Sequence, residues 1–431
     1  MLRLIVLLAT LWTLSLTSTA HAQIGCGQNV SQDGGSLLVI ASGGDDGPNL
    51  ECALEAATEQ GFGSVVLTSP SYSIGSQVAV DGFTGELRGI SIANTRVVIQ
   101  NGFADCNAGN ADVFQFSNGF GITVRFMTIE VDSPCQTPSE LAVIRFSSDP
   151  TDCADRTTFG TVDRVSIRGQ GLNASDFVEG VTMFAADNCS EQILGTLRVN
   201  RSTFEQLDQG VYSSIAGQGQ VDINFNTFTS VGVPILFLNA NQSATILGNT
   251  IDFNNLNYSE NEPLFGRFGI LVESRAGQSP ASNSTTIKGN TFNNRLVNGF
   301  GIAIQVSHGG GVAIDNQVAI SGNIFRGATG GQTRDNGVGI EIINANNGVI
   351  SANRFIGGTR EWLFLGGGQE NRPVENWTVV ANDFSASSAA IDIRLLGASN
   401  SIVGRGQGNP SFNDTNGSGN DVLEGTSQPV P

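Results

Sequence analysis

Basic residues are scarce in this chain of 431 residues. Lys288 is the only lysine, and 21 lysines and arginines stand against 39 acidic residues, which gives a formal net charge of −18. A surface of that sign repels nucleic acids and anionic membranes, so we expect neither as a partner. It also repels polyuronates unless a cation bridges them. High solubility is the simpler interpretation of the charge.

Histidine and long apolar runs are also rare. The two histidines, His21 and His308, lie far apart, and no Cys-x-x-Cys pair occurs, so no pattern predicts a metal site. The one long apolar run begins at Met1 and is followed by Ala20-His21-Ala22, a small-x-small cleavage site. The run is shorter than the ~20 residues of a membrane span. We therefore predict a signal peptide over residues 1–22 and a secreted or periplasmic protein with no membrane span after cleavage.

Two other interpretations of the N-terminus agree less well with the sequence. An uncleaved membrane anchor is disfavoured by the length of the apolar run. A lipid attached through Cys26 is disfavoured because Gln23-Ile24-Gly25 lacks the Leu usual three positions before such a cysteine.

All the cysteines follow the predicted cleavage site, and their number is even. Such a set in an exported chain favours up to three disulfides, with 15 ways of pairing them, over metal binding. Proximity along the chain makes the simplest pairing Cys26 with Cys52, Cys106 with Cys135, and Cys153 with Cys189.

One short phrase recurs through the second half of the chain, as in Ile-Lys-Gly-Asn-Thr-Phe at 287–292 and Ile-Ser-Gly-Asn-Ile-Phe at 320–325. Repetition at roughly 20 to 50 residues is typical of solenoids and propellers. Because each copy alternates apolar with small or polar residues, it predicts a half-buried strand. The Asn of the phrase recurs at Asn226, Asn249, Asn290, Asn323, Asn353 and Asn382.

A second phrase, of the type Gly-Ile-x-Ile-x, precedes the later copies, as at 269–273 and 339–343. Each turn of the solenoid therefore holds at least two strands, with the Asn at a bend. We expect this Asn to adopt left-handed backbone geometry. Turns stacked at about 4.8 Å would join the six side-chain amides into a structural Asn ladder.

With these repeats the chain resembles the right-handed parallel β-helix proteins of the pectin lyase-like superfamily, over about residues 40–405. The resemblance implies an all-β solenoid of about a dozen rungs. It also implies an N-terminal cap region over 23–75, in which a helix near Leu50 to Ala57, with Asn49 as N-cap, covers the open end. The β-helix is expected over 76–404, and the composition after it predicts a flexible polar tail over 405–431.

The resemblance further implies that a substrate lies along the face built from the Gly-Ile-x-Ile-x strands. If the Ile residues point inward, one outward column contains Ala303, Glu341, Phe364 and Asp392. Glu341 and Asp392 then lie two rungs, or about 9.6 Å, apart. This spacing suits a catalytic acid and base of an inverting glycosidase. Ordinary solvated surface carboxylates are the competing interpretation.

Further polar residues extend this face as candidate substrate-binding groups. They are Glu273, Arg275, Gln305, His308 and Arg394. Loops around 252–267 and 326–338 are expected to form the walls of a groove, and Trp362 and Trp377 either stack on sugars or pack in the core. No cofactor is required, although Ca²⁺ is an option if the enzyme is a lyase.

These features lead to one functional expectation and one alternative. The first is binding or processing of an extracellular polysaccharide, of the hydrolase or lyase type, on one face of the solenoid. The alternative is a non-catalytic surface, structural or adhesin-like interaction protein. The substrate and the oligomeric state are not encoded in any pattern that we recognise.

Overall fold

The structure is a computed structural model of the chain. Its described residues are 25–100, 102–104, 110–131, 140–148, 157–169, 177–185, 194–215, 219–238, 242–253, 268–274, 284–293, 301–308, 314–327, 337–366, 374–415 and 417–423.

One α-helix, α1 (Gly47–Gln60), and 38 strands occur in these residues. The strands of the first part are β1 (Val30–Asp33), β2 (Ser36–Val39), β3 (Ser64–Leu67), β4 (Ser71–Ile74), β5 (Val78–Asp81), β6 (Glu86–Arg88), β7 (Arg96–Ile99), β8 (Asn110–Ser117), β9 (Ile122–Val131), β10 (Glu140–Ser147), β11 (Thr157–Arg168), β12 (Phe177–Ala185), β13 (Leu194–Asn200), β14 (Thr203–Glu205), β15 (Gln209–Ile215), β16 (Gly219–Asn224), β17 (Thr227–Thr229) and β18 (Val233–Leu238).

The strands of the second part are β19 (Gln242–Leu247), β20 (Thr250–Asp252), β21 (Phe268–Ser274), β22 (Ser284–Lys288), β23 (Thr291–Asn293), β24 (Ile302–His308), β25 (Ile314–Ser321), β26 (Ile324–Arg326), β27 (Val338–Ile343), β28 (Ala345–Ser351), β29 (Arg354–Gly357), β30 (Glu361–Gly366), β31 (Val374–Glu375), β32 (Trp377–Val380), β33 (Asp383–Ser387), β34 (Ile391–Leu396), β35 (Ala398–Ser399), β36 (Ile402–Gly404), β37 (Phe412–Thr415) and β38 (Asp421–Leu423).

Most strands stack in three parallel series, one strand of each series per turn. The front sheet has 12 strands, in the order β5, β8, β10, β12, β15, β18, β21, β24, β27, β30, β34 and β37. The other large sheet holds a long series, from β2 and β3 to β36 and β38, and a short series, from β4 and β7 to β29 and β33. Strands β9 and β11 run round the corner and belong to both series.

The corner between the long and short series carries the repeated Asn. The six ladder asparagines are 0 or 1% exposed. Along the ladder each Nδ2 donates to Oδ1 of the next Asn at 2.9–3.1 Å. It also donates to a backbone carbonyl of the preceding turn at 2.8–3.0 Å. The predicted ladder is therefore present, and it satisfies buried polar groups that would otherwise destabilise the turn.

The left-handed residue of this corner is not the Asn, contrary to our expectation. It is the residue before it, as shown by φ of 59° at Phe225, 66° at Gly248 and 54° at Ala352. The reason lies in the hydrogen bonds, since the Asn must direct its amide inward and donate its own backbone N–H to the next Oδ1. Asn is thus selected here for its side chain.

The core inside the three series is apolar and ordered in rows. Phe292, Phe325, Phe355 and Phe384, each two residues after a ladder Asn, stack with centroids 4.8–4.9 Å apart and rings within 13° of parallel. This spacing matches the separation of strands within a sheet, so every turn presents the same inward side chain.

At the N-terminal end, α1 packs on the same core through Leu50, Ala53 and Leu54. The helix begins earlier than predicted, with Asp46 rather than Asn49 as N-cap, because Pro48 is well tolerated in a first helical turn. That α1 caps the solenoid stays a prediction, as does the number of rungs.

One predicted disulfide, Cys26–Cys52, is formed, with a Cα–Cα distance of 5.5 Å. It ties the lead-in segment to α1. Cys106, Cys135, Cys153 and Cys189 lie outside the described residues.

Two expected boundaries differ from the structure. Strands β2 and β3 already pair in parallel with the following turns, so stacking begins before residue 76. After residue 404, β37 pairs with β34 and β38 pairs with β36, where we had expected a loose tail. The Gly- and Asn-rich composition did not predict these strands, because main-chain hydrogen bonds form a strand without any need for apolar side chains. Residues 424–431 lie outside the described part.

Candidate functional site

The front sheet presents a continuous outward row of side chains, which we call the outer column. From N- to C-terminal rungs it consists of Gln115, Arg145, Thr182, Tyr212, Leu236, Leu271, Gln305, Glu341, Phe364 and Arg394. The structure thus brings three sequence-predicted residues, Gln305, Glu341 and Arg394, into one column, with Phe364 beside Glu341.

Two positions of the predicted column were wrong. Ala303 and Asp392 lie in a different column of the front sheet. In the outer column, Gln305 occupies the place expected for Ala303, and Arg394 occupies the place expected for Asp392. A shift of two residues keeps every Ile pointing inward, so the alternation alone cannot detect it. Small residues set the register instead, because a Cβ at Gly269 would lie 2.5 Å from the carbonyl oxygen of Ala303.

The carboxylate of Asp392 holds the next turn in place. Asp392 is 8% exposed, and its Oδ2 accepts hydrogen bonds from Ser411 N at 2.8 Å and Ser411 Oγ at 3.0 Å. Its Oδ1 accepts one from Ser387 Oγ. The acid and base column of Glu341 and Asp392 is therefore not formed.

Glu341 lies instead in a group that we call the C-terminal cluster. Its members are Gln305, Glu341, Arg360, Glu361, Phe364 and Arg394. Burial raises the pKa of Glu341, while a hydrogen bond donated by Gln305 Nε2 and the charge of Arg360 act in the opposite direction. A carboxyl of raised pKa is suited to proton transfer near neutral pH.

The arginines of the C-terminal cluster are held by a buried carboxylate. Glu361 has a side chain 1% exposed, and its Oε1 lies 2.7 Å from Arg394 Nη1 and 3.6 Å from Arg360 Nε. The Arg394 guanidinium lies 5.7 Å from the centroid of the Phe364 ring. Within the described part of the chain, the buried atoms Glu361 Oε2 and Arg394 Nε make no hydrogen bond.

The other predicted site residues fall around this cluster or outside it. Glu273 is half-buried on β21, in the column adjoining the outer column. The backbone of His308 ends β24 opposite Ser274. Arg275 lies outside the described residues, as do most residues of the two loops predicted as groove walls.

Both candidate tryptophans belong to the core. Trp362 is 3% exposed and donates to Ser387 Oγ at 3.0 Å, and Trp377 is fully buried and donates to Ala345 O at 2.8 Å. Phe364, which is half-buried on the outward face, is the aromatic side chain available beside Glu341.

A second group of charged residues, which the sequence did not predict, lies on the front sheet. We call it the N-terminal cluster, and its members are Asp112, Glu140, Arg145 and Glu179. Burial raises the pKa of Asp112 to about 6, although Arg145 Nε lies 2.8 Å from its Oδ1. Burial also raises the pKa of Glu179, and Glu140 adds to that rise. The register places Asp112 and Glu179 on either side of Ala142 in one column.

Metal binding finds no support in these groups. Among the described residues, no three His, Cys, Asp or Glu side chains converge as potential metal ligands. In the same part of the chain, no helix is sufficiently long and apolar to cross a bilayer.

No family model and no curated protein sequence matches the chain. Solved structures do match it. The A-module of a mannuronan C-5 epimerase from Azotobacter vinelandii superposes with a TM-score of 0.50 at 12% identity, covering 89% of this chain and 96% of that one. The chain has the right-handed parallel β-helix fold.

Two further matches to this β-helix are more distant. The catalytic unit of an α-1,3-glucanase from Streptomyces thermodiastaticus matches with a TM-score of 0.45 at 13% identity, over 91% of this chain and 70% of that one. A surface adhesin of Streptococcus pneumoniae matches with a TM-score of 0.40 at 13% identity, over 87% of this chain and 90% of that one.

Proposed function

We propose that this β-helix binds and processes an extracellular polysaccharide at the C-terminal cluster, with Glu341 as the proton-transfer group. The observation that carries the proposal is the position of Glu341 in the outer column. Its half-buried carboxyl, whose pKa burial raises, adjoins the outward aromatic ring of Phe364.

Each member of the cluster has a chemical part in this proposal. The Phe364 ring offers an apolar face on which a sugar ring can stack. Arg394 and Arg360 supply charged donors for hydroxyl, carboxylate or sulfate groups, and Glu361 fixes their positions. Gln305 orients the Glu341 carboxyl through its hydrogen bond. The match to an enzyme named for mannuronan guides the choice of substrates, which should include acidic polysaccharides.

The reaction type follows from the number of available carboxyls. Hydrolysis requires two carboxyl groups flanking the scissile bond. Asp392 is engaged with Ser387 and Ser411, and Glu361 is engaged with two arginines. Within the C-terminal cluster this leaves Glu341 as the carboxyl for proton transfer, with arginines beside it, and that arrangement favours elimination on an acidic sugar over hydrolysis.

The disulfide supports the location of this activity. Disulfides persist in oxidising compartments, so Cys26–Cys52 agrees with export of the chain. We infer a secreted or periplasmic protein, in keeping with the predicted signal peptide.

The test is to incubate the protein with neutral and acidic polysaccharides, with and without Ca²⁺, and to measure reducing ends and unsaturated products. Glu341→Gln should lower the rate by about 10²-fold or more. The matched control Glu205→Gln, on β14 of the short series, should retain the wild-type rate. Unsaturated products identify elimination, and reducing ends without them identify hydrolysis. Full activity of Glu341→Gln, or no product and no binding across the panel, would refute the proposal.

A further inference from the structure

A second surface stands out at the corner between the long and short series. The corner residues have left-handed backbones in nine turns, and they are Phe126, Arg164, Arg201, Phe225, Gly248, Gly289, Gly322, Ala352 and Ala381, with φ between 50° and 66°. The last five are glycines and alanines. The first four are phenylalanines and arginines, which rarely adopt this geometry.

Large side chains at these four turns carry a conformational cost. A non-glycine residue in the left-handed region is strained by about 1 kcal/mol or more. Burial does not repay this cost at Phe225, which is 59% exposed, nor at Arg201, whose side chain is 53% exposed. Because the same corner accepts glycine at Gly248, Gly289 and Gly322, the large residues are not required by the fold.

The four residues form a ridge along the rod, in which Phe126 and Arg164 are half-buried and Arg201 and Phe225 are exposed. Register pairs on either side of the corner place Phe126, Arg164 and Arg201 on successive turns, and Phe225 follows on the next. The Arg164 guanidinium lies 5.4 Å from the centroid of the Phe126 ring. The Phe225 ring lies over Gly248, where an added Cβ would meet it at 2.8 Å. The ridge thus runs Phe, Arg, Arg, Phe at about 4.8 Å per turn.

The surroundings of this ridge are positive, although the whole chain has a formal net charge of −18. Five arginines lie on or beside the ridge, and three acidic residues pair with them. The arginines are Arg88, Arg125, Arg164, Arg198 and Arg201, and the acidic residues are Glu86, Asp163 and Asp222. Arg164 makes no ion pair with any residue that the structure describes. Arg201 lies 2.7 Å from Asp163 but keeps half of its side chain in solvent.

From this arrangement we infer that the ridge of Phe126, Arg164, Arg201 and Phe225 is a docking site for an acidic polysaccharide lying along the rod. The exposed Phe225 ring stacks on a sugar face, and the two guanidinium groups bind carboxylate or sulfate groups. The Phe126 ring lies 4.8 Å from the Arg125 guanidinium and 5.4 Å from that of Arg164, so it positions the cations. This local patch revises the expectation that the negative surface repels polyuronates. The site lies on a different face from the C-terminal cluster and does not depend on catalysis by Glu341.

Glycine substitutions make a clean test, because glycine relieves the strain while it removes the side chain. The variants are Arg164→Gly with Arg201→Gly, and Phe126→Gly with Phe225→Gly. Relief of the strain offsets part of the cost of these changes, which include loss of the ion pair between Arg201 and the buried Asp163. A thermal melt checks that each variant is folded. Ala352→Gly with Ala381→Gly is the matched control on the same corner.

The readout is affinity electrophoresis of the full chain in gels containing alginate, polygalacturonate or neutral dextran. We expect both acidic polymers to retard the wild type, with less retardation at higher salt. The arginine variant should bind at least about 10-fold more weakly, the phenylalanine variant several-fold more weakly, and Arg164→Lys with Arg201→Lys should retain part of the binding. The control should bind as the wild type does.

Several results would overturn the inference. Unchanged binding by both glycine variants would move the site elsewhere on the molecule. Equal retardation by dextran would exclude recognition of charge. Tighter binding of single-stranded DNA than of either acidic polysaccharide would assign the ridge to nucleic acid instead. By contrast, loss of activity in Glu341→Gln together with normal retardation would support a docking site separate from the proposed catalytic one.

Discussion

The two charged clusters of the front sheet share an architecture but differ in the balance of their charges. Arg145 and Glu341 belong to the same outer column, six turns or about 29 Å apart. The N-terminal cluster sets one arginine against three carboxyls, and the pKa of both Asp112 and Glu179 is raised. The C-terminal cluster sets two arginines against two carboxyls, and the pKa of Glu341 is raised.

The clusters differ equally in access to solvent. The Arg145 side chain is 14% exposed, and Asp112 beside it is 6% exposed. The side chain of Arg394 is 34% exposed and that of Arg360 is 39% exposed. A raised pKa therefore has different meanings at the two ends. In the N-terminal cluster it reflects first the burial of Asp112 and Glu179 and then the charge of Glu140, whereas in the C-terminal cluster it belongs to a half-buried carboxyl.

The largest effect on stability should come from removing Arg145, the single cation of the N-terminal cluster. Arg145→Met should destabilise the protein by about 3–5 kcal/mol at pH 8, because the buried carboxylates lose their only counter-charge. At pH 5 the loss should be smaller, since Asp112, whose pKa is about 6, is then largely protonated. Urea unfolding at both pH values measures the difference.

Arg394→Met is the matched change in the open cluster. It should lower the free energy of unfolding by only about 1–2 kcal/mol, because Arg360 remains 3.6 Å from Glu361. Equal losses in the two variants, or an Arg145→Met loss that does not depend on pH, would contradict the distinction between the clusters.

The sequence predicted the fold where side chains repeat. The amides of Asn290 and Asn323 must face their equivalents in the next turn, so the ladder phrase carries the register of the corner. The front sheet carries less information. A shift of the strand register by two residues would exchange the places of Ile302 and Ile304 and leave both pointing inward. The close approach of Gly269 to the carbonyl oxygen of Ala303 distinguishes the two registers.

The N-terminal cluster could not be predicted from the sequence, for a related reason. Asp112, Arg145 and Glu179 come from rungs without the repeated phrases, and 30 or more residues separate each from the next. Only the pairing of β8, β10 and β12 brings them together. A signal was nevertheless present in the alternation of these strands, where a charged residue stands among apolar neighbours, as Asp112 does between Ala111 and Val113.

A second prediction concerns the pH dependence of stability. The pKa of Asp112 is about 6 in the folded protein, against about 3.8 for an ordinary Asp. The folded state therefore holds this proton more tightly than the unfolded state does. The stability that it confers is complete below pH ~4 and is lost as pH rises to about 6, by at most about 3 kcal/mol.

Asp112→Asn should remove this part of the pH dependence. The unfolding midpoint of the variant should fall less steeply between pH 4 and 6 than that of the wild type. Asp33→Asn, at an exposed position on β1, is the control and should leave the slope unchanged. A wild-type slope that persists in Asp112→Asn would assign the titration to other groups.

The smallest effect is expected at the residue to which we assign the chemistry. Glu341→Gln keeps the shape of the side chain and can still bond to Gln305, so the free energy of unfolding at pH 8 should change by no more than about 1 kcal/mol. Because burial raises the pKa of Glu341, the wild-type carboxylate is disfavoured at this pH, and neutralising it should be neutral or slightly stabilising. Urea unfolding at pH 8 measures this change. A loss above about 3 kcal/mol would make Glu341 a structural residue like Asp112. It would also remove the contrast between the N-terminal and C-terminal clusters. A stable variant that lacks activity would instead show that the open cluster sacrifices stability for function.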